Sequence, residues 1–171
     1  MKPEIEKRLK KIKRISNILR AICKVLFALA ICLFLVALFA ILAGWGNLAF
    51  SGDSVPLAPL ALPSRLILGV IFALGMAINF KALYHLHRLF GNYGRGDIFT
   101  TDSVAQIRHL GITALLWAGV TFLWTLAGAL ALAHPDVHFD GNCLVIGPVI
   151  IVISWFMEMA AEIREENELT V

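Results

Sequence analysis

Apolar residues gather into four long stretches, at about 25–45, 66–86, 110–133 and 144–163, with polar segments between them. No Asp, Glu, Lys or Arg falls between Val25 and Gly52, or between Leu110 and Ala133. An α-helix rises ~1.5 Å per residue, so about 20 apolar residues cross the ~30 Å hydrocarbon core of a bilayer. The pattern predicts four transmembrane helices. The second is the least apolar, because Lys81 follows Leu66–Phe80; a lysine near a helix end can snorkel to the interface. The predicted fold is an all-α membrane protein, a four-transmembrane-helix bundle with short loops, in one domain over residues 1–171.

Ahead of the first span, Ile5, Leu9, Ile12, Ile15, Ile18 or Leu19, and Ile22 recur at spacings of three and four, which marks one apolar helical stripe. Pro3 suits a first turn, Glu4 and Glu6 complement the positive end of the helix dipole, and Glu4–Arg8 and Glu6–Lys10 are favourable pairs. An amphipathic basic helix at about 3–24 follows. Its charged face suits anionic headgroups.

Charge placement then orients the chain. Nine of the 15 Lys and Arg precede the first span, and Lys81, Arg88, Arg95 and Arg108 surround the second connection. The first connection holds only Arg65, and the third, Ala133–Cys143, holds none. The positive-inside rule predicts cytoplasmic N and C termini and a cytoplasmic middle connection. The first apolar run exceeds a signal-peptide core and lacks a small-x-small cleavage site, so it reads as an uncleaved anchor. Composition agrees, at 59% hydrophobic and 16% charged. Cys23, Cys32 and Cys143 offer no disulfide framework, and Cys143 alone is predicted to be external.

The middle connection, Leu83 to Val104, is the most individual segment. Gly91, Gly94 and Gly96 are expected to break the second helix, and Thr100 to cap the third. Asp102 falls in the positive first turn, and Ser103 with Gln106 offers an alternative capping box. A glycine-rich turn ahead of a helix can hold phosphate. Here no strand precedes it and no P-loop lysine follows, so that reading is set aside. His85 and His87 lie on different helix faces and make a poor metal pair.

The runs Leu83-Tyr84 to Leu89-Phe90, Tyr93-x-Arg95-Gly96-Asp97-Ile98-Phe99-Thr100 and Val104-x-x-Ile107-Arg108-x-Leu110-Gly111, with the ending Glu165-Glu166-Asn167-Glu168-Leu169-Thr170-Val171, resemble the bacterial membrane family called domain of unknown function 2975. The resemblance implies a small four-span protein of a bacterial plasma (inner) membrane, often encoded beside a small helix-turn-helix regulator. It brings no activity. Where the family tends to have an acidic residue and Asn after the Thr, this chain reads Asp102-Ser103.

Two further groups of residues invite chemistry. His134, Asp136, His138 and Asp140 alternate with period two, so an extended segment would present imidazoles and carboxylates on one face, a donor set that suits divalent metals. Consecutive donors lie ~6.5 Å apart, too far to close on one ion without a bend, and a solvated cap is the simpler expectation. Lys81 and Glu158 sit inside spans at matching depth, about 21–22 Å along their helices. They are predicted to pair or to share Asn79, unless each snorkels. Trp45 and Tyr84 read as interface anchors, and Ala40/Gly44, Ala114/Ala118 and Ala127/Ala131 as sites of close packing. The first loop, Asn47–Ser64, with Pro56, Pro59 and Pro63, reads as an extended lid.

No redox CxxC, no HExxH and no nucleophile beside a base occurs, and no cofactor is expected. The functional expectation is a non-enzymatic interaction or regulatory protein whose cytoplasmic turn, Tyr93, Arg95, Asp97, Phe99 and Thr100, is read by a partner. The resemblance implies a DNA-binding regulator in that role, with no direct nucleic-acid binding by this chain; the oligomeric state is open. The alternative is a small-molecule or ion transport protein with a polar site between helices.

Overall fold

The computed structural model describes residues 3–50, 53–97, 100–132 and 141–169, and side chains for most of them. Four helices dominate: α1 (Pro3–Ala43), α2 (Leu62–Arg95), α3 (Thr101–Leu132) and α4 (Asn142–Leu169). All four are long and apolar enough to cross a membrane. The protein is an all-α four-helix bundle of multi-pass membrane type.

The first connection adds a small hairpin, β1 (Asn47–Phe50) antiparallel to β2 (Asp53–Pro56), with Asn47 opposite Pro56. The hairpin gives the expected lid an extended backbone, but the lid stops short of Ser64 because α2 begins at Leu62, with Pro63 in its first turn. The hairpin leads into Leu57, which is 2% exposed and packs with Ile41, Leu68 and Ala127 at the far end of the bundle. Gly44 ends α1 in the left-handed region at φ 71°. The Arg65 guanidinium lies against it and donates to the Ala58 carbonyl at 2.7 Å.

Packing follows chain order: α1 on α2, α2 on α3 and α3 on α4, with no comparable contact between α1 and α4 or between α2 and α4 among the described residues. Phe27 and Phe34 of α1 meet Phe80 and Phe72 of α2, at ring separations of 5.3 to 6.0 Å. Gly111 of α3 and Gly147 of α4 bring their backbones together; a Cβ on either would lie within 3.0 Å of the other's carbonyl oxygen. Glycine permits that approach, and dispersion between close backbones holds helices together where lipid supplies no hydrophobic drive. Pro148, inside α4, forgoes one helical hydrogen bond. On the outside, Val25, Leu33, Val36 and Phe39 of α1 stay exposed, as lipid-facing side chains should.

At 41 residues α1 is about 60 Å long, roughly twice the hydrocarbon thickness. The basic segment at 3–24 is therefore continuous with the first span, instead of a separate helix lying on the headgroups. It runs alongside the end of α2, and the glycines explain how. Gly91 and Gly94 do not break α2, which continues through them to Arg95 and stops at Gly96, φ 100°. Missing side chains at 91, 94 and 96 make room for Arg20, Asn17 and Lys13 of α1 respectively. Lys13 also sits against the negative end of the α2 dipole. With both helices extended, the middle connection shrinks to residues 96–100.

Candidate functional site

The polar groups of the described structure concentrate where α2 meets α3, on the side of the chain's termini. Asn92, 2% exposed, is their hub. Its Nδ2 donates to Asp102 Oδ2 at 2.7 Å and to Ser103 Oγ at 3.3 Å, and its Oδ1 accepts from Arg95 at 2.6 Å. Its backbone carbonyl accepts the Gly96 and Asp97 N–H groups, both at 3.1 Å. One side chain thus ties together the end of α2, the turn and the start of α3.

Thr100 performs the capping that its position ahead of α3 predicts. Its Oγ1 accepts the Ser103 N–H at 3.3 Å and donates to Ser103 Oγ at 3.1 Å. Ser103, fully buried, donates in turn to the Asp97 carbonyl at 2.8 Å. The alternative Ser103–Gln106 box is not used. Gln106 Nε2 instead donates to Asp102 Oδ1 at 3.1 Å, which leaves its Oε1 to accept from His85 Nδ1 at 2.7 Å. That chain of donors fixes the His85 tautomer, and His85 stacks on His109 at 4.7 Å.

Asp102 lies outside the apolar stretch of α3. The Asn92 hydrogen bond, with smaller help from Gln106, Arg88 and Arg95, holds its carboxyl below the usual aspartate value of 3.8. Arg88 reaches it at 3.3 Å. Burial pushes the Tyr93 phenol up. Arg95 and Asp97 pair at 3.3 Å, with side chains 64% and 50% exposed. The end of α2 therefore presents an exposed charge pair beside the Asn92 hub.

Of the five turn residues expected from sequence, Tyr93, Arg95, Asp97 and Thr100 come together here; Phe99 lies outside the described residues. So do His134, Asp136, His138 and Asp140 of the metal expectation. Among the described residues no group of three or more His, Cys, Asp or Glu is placed to hold a metal. Asn92, Ser103 and Gln106 join the site through the α2–α3 contact; Ser103 and Gln106 are polar positions flanking Val104 and Ile107 at the start of α3, whereas no local pattern marks Asn92.

The expected pairing of Lys81 with Glu158 is corrected. Glu158 accepts from Arg108 of α3. Because α3 lies between α2 and α4, equal depth does not bring Lys81 to Glu158. Asn79 is no mediator either, since it donates to the Gly75 carbonyl of its own helix at 3.3 Å. Lys81 is exposed.

At mid-depth the cleft between α2 and α3, about 260 Å³, is walled by apolar and aromatic side chains such as Phe72, Trp117 and Trp124.

No curated protein and no solved structure matches the chain. A sequence model of the family described as protein of unknown function (DUF2975) matches residues 52–171, which take in α2, α3, α4 and the polar turn. The chain belongs to the DUF2975 family.

Proposed function

We propose that the protein is a non-enzymatic membrane interaction or regulatory protein, with N and C termini in the cytoplasm, whose α2–α3 turn is read by a soluble partner. One observation carries this reading: hydrogen bonds centred on Asn92 tie the end of α2 to the start of α3 while Arg95 and Asp97 stay exposed. A preordered polar surface binds without the entropy cost of ordering a loop. The basic side chains around the second connection support the cytoplasmic placement. A DNA-binding regulator, as the family resemblance suggests, is the partner class to look for first.

The transport alternative asks for polar groups near the midplane. The apolar walls of the α2–α3 cleft count against it.

The test is copurification from native membranes with Asp97→Lys as comparison. Asp97 bonds Arg95 through its side chain and otherwise uses only its backbone, so the reversal leaves the Asn92 hub in place. The wild-type protein should retain one soluble partner and the variant should lose it, with equal melting temperatures. Equal recovery of that partner by both would contradict the reading.

A further inference from the structure

Charge is unevenly balanced in this molecule. Asp97 is met by Arg95, Asp102 by Arg88 and Asn92, and Glu158 by Arg108. The seam between α1 and α2 is different: neither residues 10–43 nor residues 62–95 contain an Asp or Glu. Lys13, Arg20 and Lys24 all lie along α1 at this end of the seam, and neither of those two segments holds a carboxylate to meet them.

A cleft of about 220 Å³ opens there, lined by Cys23, Lys24, Phe27, Leu83, Tyr84 and His87. Its depth is set by sequence. Lys24 immediately precedes the first apolar stretch, and Tyr84 is an exposed aromatic near the end of the second, so the cleft straddles the boundary between headgroups and acyl chains. Arg20, whose guanidinium lies over Gly91, donates from Nε to His87 Nε2 at 3.4 Å. Arginine is always a donor, so the His87 proton sits on Nδ1, which is buried without an acceptor. Donors therefore outnumber acceptors around an otherwise apolar cleft.

We propose that this cleft is a binding site for an anionic membrane phospholipid, on the leaflet facing the chain's termini. The headgroup phosphate accepts from Lys24 and Arg20, and the first acyl carbons lie against Phe27, Leu83 and Tyr84. Apolar walls select an amphiphile over a free anion. The surplus of positive charge selects a net-negative headgroup over a zwitterionic one.

The proposal is tested on the full chain in neutral detergent by thermal unfolding, with short-chain phosphatidylglycerol, short-chain phosphatidylcholine or inorganic phosphate added. Phosphatidylglycerol should raise the melting temperature saturably, and the other two should not do so at equal concentration. Lys24→Gln should weaken the phosphatidylglycerol effect about fivefold, the consequence of losing one basic contact, whereas Lys11→Gln, an exposed site outside the cleft, should leave it unchanged. An equal response to phosphatidylcholine, an equal response to phosphate, or equal losses in the two variants would each overturn the proposal. The wild-type comparison decides by itself if Lys24→Gln does not fold.

Discussion

Arg108, in the second turn of α3, donates to the carboxylate of Glu158, fifty residues later on α4. Both side chains are more than a third exposed, and they lie at the edge of the apolar region, where an unpaired charge is costly. Arg108→Met and Glu158→Gln should each lower stability in detergent. The double variant should recover about 0.5–3 kcal/mol relative to the sum of the singles, as directly contacting residues do. Strictly additive losses in a double-mutant cycle would show that the contact contributes nothing.

The α3–α4 contact is predicted to depend on missing side chains. A Cβ at Gly111 would come 2.7 Å from Ile151 Cγ1 and 2.9 Å from the Gly147 carbonyl, and one at Gly147 would come 2.7 Å from Leu115 Cγ. Gly111→Ala and Gly147→Ala should each cost about 1–3 kcal/mol by overpacking. A Cβ at Gly119 would meet nothing within 4 Å. There Ala should be neutral or stabilising by up to about 1 kcal/mol through helix propensity. Unfolding in detergent across the three variants checks the order.

Acid should loosen the α2–α3 turn. The Asp102 carboxyl is held below 3.8, so the folded state binds a proton less readily than the unfolded chain does. The stabilisation is complete above the ordinary aspartate value, declines as pH falls below it, and is gone once pH passes the folded value. Amide hydrogen exchange over residues 92–104 should therefore quicken at low pH in the native protein, beyond the intrinsic pH dependence of exchange, and lose that extra dependence in Asp102→Asn. Because the side chain is 42% exposed, the effect should be small and salt-screened. Asn92→Ala should cost more, about 2 kcal/mol, since it strands several partners at once.

Much of the fold was legible because apolar runs of helical length have one outcome in a bilayer. All four helices, the extended first lid and the Thr100 cap follow from local pattern. What sequence could not supply was neighbourhood. Depth along a helix is countable, but the order of helices around one another is not, so matching depth points Lys81 to Glu158 although Arg108 is the residue within reach. The glycines failed for a related reason. Gly91 and Gly94 read as breakers by propensity, yet α1 lies against them, and packing outweighed a penalty of about 1 kcal/mol each. The turn residues were legible as a segment; the hub, Asn92, emerged only when α2 and α3 were brought together.

Orientation has its own test. Cys143 lies in the first turn of α4, and the proposed cytoplasmic placement of the termini predicts that it faces the exterior. A membrane-impermeant thiol reagent should label it on intact cells, while cysteine introduced at Lys11 in a Cys143→Ser background should be labelled only after lysis. The reverse pattern would invert the topology.

The central claim, that the α2–α3 turn is read by a soluble partner, is tested most directly by photocrosslinking in the native host. A photoreactive side chain replaces Asp97 in one variant and Trp45, 73% exposed at the opposite end of the bundle, in another. Irradiation should join the Asp97 variant to one discrete soluble protein and leave the Trp45 variant without that adduct. Lipid adducts alone at position 97, or the same protein adduct from both positions, would contradict the account.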